Sequence, residues 1–426
     1  MSQQPPEHYD SLEGRDPQER EAALMRALAE QVAHAQAHTA AYAELLAGVD
    51  AREVTTREAL RELPVTRKHE LLQRQQARRS HDAFGGHATV GWRGMGAGRG
   101  VRRVFQSPGP LYEPEGAAPD YWRAARALHA AGVRAGDLVH NSFSYHLTPA
   151  GSMMEGGALA LGCAVFPGGT GQTELQLQAM HELRPQAYVG TPGFLKILLD
   201  RAEAQGQPLR GLSKALVSGE ACPAALRDWF GTRGIVSFQC YATADLGLVA
   251  YETSAREGLV LDETLILEIL APGSGEPVAE GHIGEVVVTT LNRDYPLIRF
   301  ATGDLSAVLP GPCPTGRTNT RLKGWLGRAD QSAKVRGMFV HAAQLDELLR
   351  RHPEVARARL VVSGAPGQDC MTLRVELAAG SGDAATAQAL GDTLRELTRL
   401  RGEVELLAPG TLPADGRLIE DMRRHD

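Results

Sequence analysis

The chain has 426 residues, 43% of them apolar, enough to bury one large core and a second, smaller one, as chains beyond roughly 250–300 residues do. Its net charge is −6, from 45 basic and 51 acidic residues spread along the whole length, which offers no broad basic surface to nucleic acid or an anionic membrane and favours a small-molecule partner. The opening MSQQPPEHYD lacks the basic and apolar regions of a secretory leader, no apolar run approaches the ~18 residues of a membrane span, and the five cysteines (Cys163, Cys222, Cys240, Cys313 and Cys370) include no CxxC pair; the expectation is a cytoplasmic protein without a disulfide framework or zinc finger.

In chain order, Asp16-Pro17 with Glu19 reads as a helix start, and Leu24, Leu28 and Val32 repeat at helical spacing, so the N-terminal arm is predicted helical. Between about 85 and 120 the composition turns to Gly, Arg and Pro (GGHATVGWRGMGAGRG, then SPGPLYEPEG), which predicts exposed loops. From there to about 270, helical stretches such as DYWRAARALHAAG and ELQLQAMHEL alternate with short β-rich runs such as AYVGT, KALVSG and IVSFQC. That alternation predicts an α/β layered domain. EVVVTTL and PLIRFATGDLSAVL then predict a more β-rich portion closing the large domain. After Gly327 the pattern becomes strand (KVRGMFV), helix (AAQLDELLRRH), two strands (RARLVVS, TLRVEL), helix (AATAQALGDTLRELTRL) and strand (EVELL). This is the order of a small α+β, ferredoxin-like domain, so the boundaries are 1–327 and 328–426.

Two segments carry candidate chemistry. PLIRFATGDLSAV puts Thr302, Gly303 and Asp304 at the end of a strand-like run, where the carboxylate can accept both ribose hydroxyls of a nucleotide; taken alone, TGD is also a common turn. Some two dozen residues on, GRADQSAKVRG sets a Gly-Arg turn and Asp330 where the composition changes; taken alone, it is a linker.

Together, and with VTRKHELL (65–72), SGEA (218–221), YATADLG (241–247) and TLPADGRLIED near the C-terminus, these segments resemble the adenylate-forming superfamily, in particular its phenylacetate–coenzyme A ligase-like branch, over nearly the whole chain. The resemblance implies a large adenylation domain followed by a small mobile one, with ATP, Mg²⁺ and coenzyme A as cofactors. It makes Asp304, next to Thr302, the ribose clamp, puts Arg328 on the ribose or α-phosphate, and makes Asp330 the hinge. Gly219, Glu220 and Ala221 line the adenine pocket, Tyr241 stacks beside the base, and Asp245 stands in for the family's metal-orienting glutamate. Arg417 aligns with the lysine that contacts the carboxylate and α-phosphate during adenylation. The phosphate loop falls on GWRGMGAGRGVRR, which has four arginines (Arg93, Arg99, Arg102, Arg103) and no hydroxyl. Phe143, Tyr145 and His146, faced by Gly168 and Gly169, suit an aryl or arylacetic acid, and core aromatics are the other reading of the same residues.

The chemistry asks for these residue types. A carboxylate is a poor electrophile until ATP turns it into an acyl-adenylate, and the charge that gathers on the phosphate oxygens needs Mg²⁺ and cationic side chains. Some relatives carry a Cys/His zinc site, but its pattern has become Cys313-Pro-Thr315-Gly-Arg317 here, with Thr253 and Val260 at other ligand positions, and one thiolate cannot hold zinc; no structural zinc is expected. Two further readings stand beside the acid–coenzyme A ligase. One is a relative that binds nucleotide or acyl-adenylate without turnover; the other is an enzyme that loads a carrier protein. A homodimer is the commonest assembly for a soluble chain of this kind.

Overall fold

A computed structural model describes residues 7–96, 98–271, 275–329, 332–336, 338–365, 368–378, 382–413 and 417–423. The chain divides into two compact units, one ending at Gly327 and the other starting at Arg328. The first opens with a helical arm of α1 (Pro17–His38), α2 (Ala40–Leu45) and α3 (Arg57–Arg61). Asp16 starts α1 by accepting from the N–H groups of Gln18 (2.8 Å) and Glu19 (3.1 Å), and Pro17 occupies the first helical position, where no N–H is needed. Leu24, Leu28, Val32 and Ala35 recur at helical spacing and bury against Tyr42, Leu60, Ile266 and Ile298, so the arm is fastened to the β-rich portion of the unit.

Next come β1 (Thr66–Arg67), α4 (Lys68–Arg78) and an antiparallel hairpin of β2 (Arg103–Ser107) and β3 (Leu111–Glu115). They are followed by α5 (Ala124–Ala130), β4 (Leu138–Asn141), α6 (Ala150–Ala160), β5 (Ala164–Pro167), α7 (Thr173–Leu183), β6 (Ala187–Gly190), α8 (Pro192–Ala204), β7 (Lys214–Val217), α9 (Ala224–Gly231) and β8 (Val236–Thr243). The unit ends with β9 (Gly247–Glu252), β10 (Leu259–Leu261), β11 (Leu265–Leu270), β12 (Gly284–Thr290), β13 (Phe300–Ser306), β14 (Val308–Leu309) and β15 (Arg321–Leu322).

Nine of these strands form one sheet in the order β14-β15-β10-β9-β8-β7-β6-β4-β5. From β5 to β8 neighbours run parallel, and from β8 outward they run antiparallel. In the middle of the parallel part, β6 is buried along its whole length, as a strand covered on both faces must be. The second sheet, β1-β13-β12-β11, holds Val286, Val288, Phe300 and Leu267 in a core shared with Val249 and Ala250 of β9. The carboxyl end of β8 is therefore where the main sheet changes from parallel to antiparallel pairing, the kind of place where open α/β sheets leave a crevice.

The second unit contains β16 (Ser332–Val335), β17 (Met338–His341), α10 (Ala342–Arg351), β18 (Val355–Ser363), β19 (Cys370–Leu377), α11 (Ala384–Thr398), β20 (Glu403–Leu407) and β21 (Ile419–Asp421). Its four-stranded sheet has the order β20-β19-β18-β21, and its own core includes Leu348, Leu360, Leu373, Leu390 and Leu394. Three local expectations are corrected. KVRGMFV is an antiparallel hairpin, β16–β17, because Arg336 takes a positive φ of 48° and reverses the chain. The helix expected over DYWRAARALHAAG begins only at Ala124, since Asp120 (φ 46°) and Arg123 (φ 64°) are left-handed. Thr302-Gly303-Asp304 lies inside β13 rather than at its end: Gly303 (φ 76°) lets the strand bulge against β12 without breaking.

Candidate active site

The bulge at Gly303 brings Asp304 to face the end of β8. Tyr241 Oη donates to Asp304 Oδ2 (2.7 Å) and Trp325 Nε1 donates to Asp304 Oδ1 (3.0 Å), so this nearly buried carboxylate is held in one orientation across two sheets. A carboxylate accepts about four hydrogen bonds, and these two do not by themselves exhaust it. Thr302 Oγ1 donates to Val286 O (2.9 Å) and accepts from Asp304 N (3.1 Å), which fixes the backbone of the bulge. Thr302 is buried and serves the strand; Asp304 and Tyr241 are the pair brought together.

Four residues beyond Tyr241, Asp245 sits in the tight turn between β8 and β9. Thr243 Oγ1 caps this turn on Leu246 N (3.1 Å), and Gly247 (φ 75°) closes it where a Cβ would come within 2.8 Å of Trp122 O. Asp245 is 4% exposed; Lys68 Nζ lies 3.0 Å from its Oδ2, while Oδ1 is buried without a hydrogen-bond partner among the described residues. A second acid, Glu113 of β3, is fully buried nearby and bonded to Ser107 Oγ, with its Oε2 likewise unpartnered among the described residues. Burial, and next the charge of Asp245, push the Glu113 carboxyl up to about 8, against the opposing pull of Ser107 and Lys68. Lys68, Trp325 and Glu113 carried no assigned role in the sequence. Lys68 lay inside VTRKHELL, whereas Trp325, one of four tryptophans, and Glu113, an acid beside a proline, had no signal.

The loop Ser218–Ala221 leaves β7, the neighbour of β8, and Ser218 Oγ donates to Cys240 O (2.8 Å), one residue before Tyr241. Gly219 is exposed with φ 81°, Glu220 accepts from Gly193 N (3.1 Å), and Ala221 is half-buried. These groups therefore border the Tyr241 end of β8. On the far side of the sheet order, Tyr145 is half-buried with its hydroxyl accepting from Asn141 Nδ2 (2.8 Å), and burial and Glu155 raise its phenol. His146 is exposed, and Phe143 packs in the core with Val139 and Met154, so only Tyr145 of the three keeps a partly open ring. Gly168 and Gly169 form the half-buried turn that follows β5.

The glycine-rich segment departs from the expected phosphate cradle. Trp92 and Met95 exchange backbone hydrogen bonds (3.0 and 2.9 Å), Gly96 N donates to His81 O, and Val101 N donates to Gly91 O, so these N–H groups face the protein's own carbonyls. Gly91 and Gly98 are needed for close packing, since a Cβ would come within 2.4 Å of Met95 O and 2.3 Å of Thr89 O. Arg103 is held by Glu115 (2.6 Å). In the second unit, Arg328 is its first, half-buried residue and Arg417 is exposed just ahead of β21; Asp330 lies outside the described residues. Cys313 Sγ is 3.1 Å from Thr315 Oγ1 and 4.0 Å from Thr253 Oγ1. No group of three or more His, Cys, Asp or Glu placed to hold a metal occurs among the described residues. Hollows of about 510 Å³ beside α1 and about 340 Å³ beside α7 are lined by neither Asp304 nor Asp245.

A large layered α/β unit with an acid-clasping tyrosine at the sheet's switch point, followed by a small α+β unit, is the arrangement of an adenylate-forming ligase. The chain is similar over its full length to a 2-hydroxyisobutyryl-CoA ligase solved with 2-HIB-AMP and CoA, at 24% identity and a TM-score of 0.82, covering 95% of that chain. It is 31% identical over 378 residues to the phenylacetate–coenzyme A ligase of Thermus thermophilus, spanning 83% of this chain and 81% of that enzyme. It is 33% identical over 269 residues to the enzyme of the same name from Aromatoleum evansii, about 60% of whose length is matched. No family model matches the chain. The chain belongs to the phenylacetate–coenzyme A ligase family of adenylate-forming enzymes.

Proposed function

We propose that the chain activates a carboxylic acid with ATP as an acyl-adenylate and passes the acyl group to coenzyme A. The observation that carries this is the Asp304 clasp within a chain that matches a phenylacetate–coenzyme A ligase over four-fifths of both sequences. In this reading Asp304, pre-oriented by Tyr241 and Trp325, receives the ribose hydroxyls. Tyr241 and the Ser218–Ala221 loop border the base. Arg417 and Arg328 supply positive charge to the carboxylate and phosphate oxygens, Asp330 is the hinge, and the second unit is the mobile domain. Asp245 fits the cation that accompanies ATP, because hard cations take oxygen donors and its Oδ1 is a buried oxygen without a partner among the described residues. That cation would neutralise charge on the phosphates. Tyr145 beside Gly168 and Gly169 suits an aryl or arylacetic side chain. A cytoplasmic location and a homodimer complete the reading; no helix among the described residues is long and apolar enough to cross a membrane.

The test is acid-dependent exchange of labelled pyrophosphate into ATP, with AMP release on adding coenzyme A, across a panel of aromatic and short hydroxy acids. Exchange in the wild type, with Asp304→Ala lowering kcat/KM for ATP by roughly a hundredfold or more, is expected. The self-bonded glycine loop and Arg417 favour a second reading, a nucleotide-binding relative without turnover. Calorimetric AMP binding that Asp304→Ala abolishes, with no exchange for any acid, selects it. Faster acyl transfer to a phosphopantetheinylated carrier protein than to coenzyme A would move the acceptor to a carrier.

A further inference from the structure

Strand β4 ends on His140 and Asn141 and is followed directly by Ser142, all three nearly or fully buried at 1%, 0% and 4% exposure. Strand alternation sends 140 and 142 to one face and 141 to the other. On the first face they meet Gln176 of α7, itself 2% exposed: His140 Nε2 lies 2.7 Å and Ser142 Oγ 2.8 Å from Gln176 Oε1. Gln176 Nε2 donates to Gly169 O (2.8 Å) and Gly171 O (2.6 Å). With both amide hydrogens on carbonyls, Oε1 must be the acceptor, so His140 carries its proton on Nε2. The imidazole is locked by stacking on Phe166, 5.0 Å between centroids and 19° between planes. On the opposite face Asn141 Nδ2 donates to Tyr145 Oη and Gly151 O (2.8 Å each), and Asn141 O accepts from Gly169 N (3.0 Å).

Besides Gln176, the loop is held by the backbone bonds of Gly168 N to Phe166 O and of Gly169 N to Asn141 O (3.0 Å each). Gly169 and Gly171 are left-handed (φ 69° and 71°), and a Cβ on Gly168 would come within 2.8 Å of Gln176 Oε1. A buried amide is costly unless every donor and acceptor is met, and a fully met one specifies a single geometry. Neither Gln176 nor His140 has a role in the adenylation and thioester steps as proposed above.

We infer that Gln176, with His140 and Ser142, is a positioning residue that shapes the Gly168–Gly171 loop and thereby sets one wall of the acid pocket, opposite the Tyr145 that Asn141 fixes. This rests on the proposed activity and on Gly168 and Gly169 belonging to that pocket. The test takes the full-length wild type, Gln176→Glu, Gln176→Leu and His140→Phe, and measures KM separately for the best acid of the panel and for ATP. Gln176→Glu keeps the shape but sets an acceptor against Gly169 O and Gly171 O; His140→Phe keeps the stack and removes the Nε2 proton. The expected result is a rise of roughly tenfold or more in KM for the acid, with KM for ATP within about twofold of wild type and a changed ranking of acids by side-chain size. Should Gln176→Leu fail to fold, the other two variants decide. An unmoved acid KM and ranking in an active enzyme, or a parallel rise in both KM values, overturns the positioning role alone. A wild type that turns over no acid overturns the activity and this role with it.

Discussion

Two buried acids, Asp245 and Glu113, share a corner of the first unit. Asp245 has Lys68 at 3.0 Å; Glu113 is pushed up to about 8 by burial first and by the charge of Asp245 second. The linkage follows from the sign of this shift. Between the ordinary glutamate value near 4.5 and about 8 the unfolded chain has released this proton while the folded one keeps it, so folding binds a proton and stability falls as pH rises through that window. Glu113→Gln keeps the shape and cannot ionise. Its melting temperature should match or trail wild type near pH 5, exceed it increasingly up to about pH 8, and hold a constant lead above, a gain on the order of a few kcal/mol. Melting curves at half-unit pH steps check this; a difference that does not vary with pH would show that Glu113 is ionised in the fold throughout. At this scale the sequence singled out Asp304, Tyr241 and Asp245 through short motifs, and the fold sets Tyr241 against Asp304. The sequence was silent on the side chains that orient them: Lys68 reaches Asp245 across 177 positions, and Trp325 reaches Asp304 from outside any strand.

At the scale of elements, the N-terminal segment packs against the neighbourhood of Cys313 and Thr315. Glu13 is 0% exposed and pairs with Arg126 (2.9 Å) and Arg317 (2.8 Å), and Tyr251 Oη donates to it (3.0 Å). His8 bonds to Thr315 O (2.8 Å), beside Cys313. The segment before α1 thus closes this region with ion pairs. Removing the charge from one partner of a buried cluster leaves the other charges uncompensated, which costs roughly 3–5 kcal/mol. Glu13→Gln is therefore expected to lower the melting temperature of the first unit by several degrees and to open Arg15 to trypsin, read by N-terminal sequencing of the early fragments; unchanged melting and digestion would make the cluster an ornament. Elements were legible where apolar periodicity is long, as in α1 and α7. They were misjudged where a few left-handed residues decide the backbone: Arg123 delays α5, Arg336 folds one expected strand into two, and Gly303 turns an expected strand end into a bulge. Propensity assigns no left-handed backbone to arginine, so these positions are set by the packing around them.

For the whole molecule, the change of pattern after Gly327 coincides with the division of the chain into two units, and each has its own core. Every member of the small unit's core lies between Ala333 and Ile419, and the large unit's clusters contain no residue beyond Leu322. Among the described residues each core is built from side chains of its own unit, and two-state behaviour requires that loss of one part remove the support of the rest. Calorimetry of the full chain is expected to show two transitions. Leu373, in the middle of β19, is 0% exposed, and Leu373→Ala removes buried methyl groups at a cost of about 2–5 kcal/mol. That variant should lower one transition and leave the other within a degree, whereas saturating AMP, on the proposal that Asp304 of the large unit receives its ribose, should raise the other. If Leu373→Ala instead shifts a single transition for the whole chain, the two cores are energetically one, and the motion proposed for the second unit would have to proceed against that coupling.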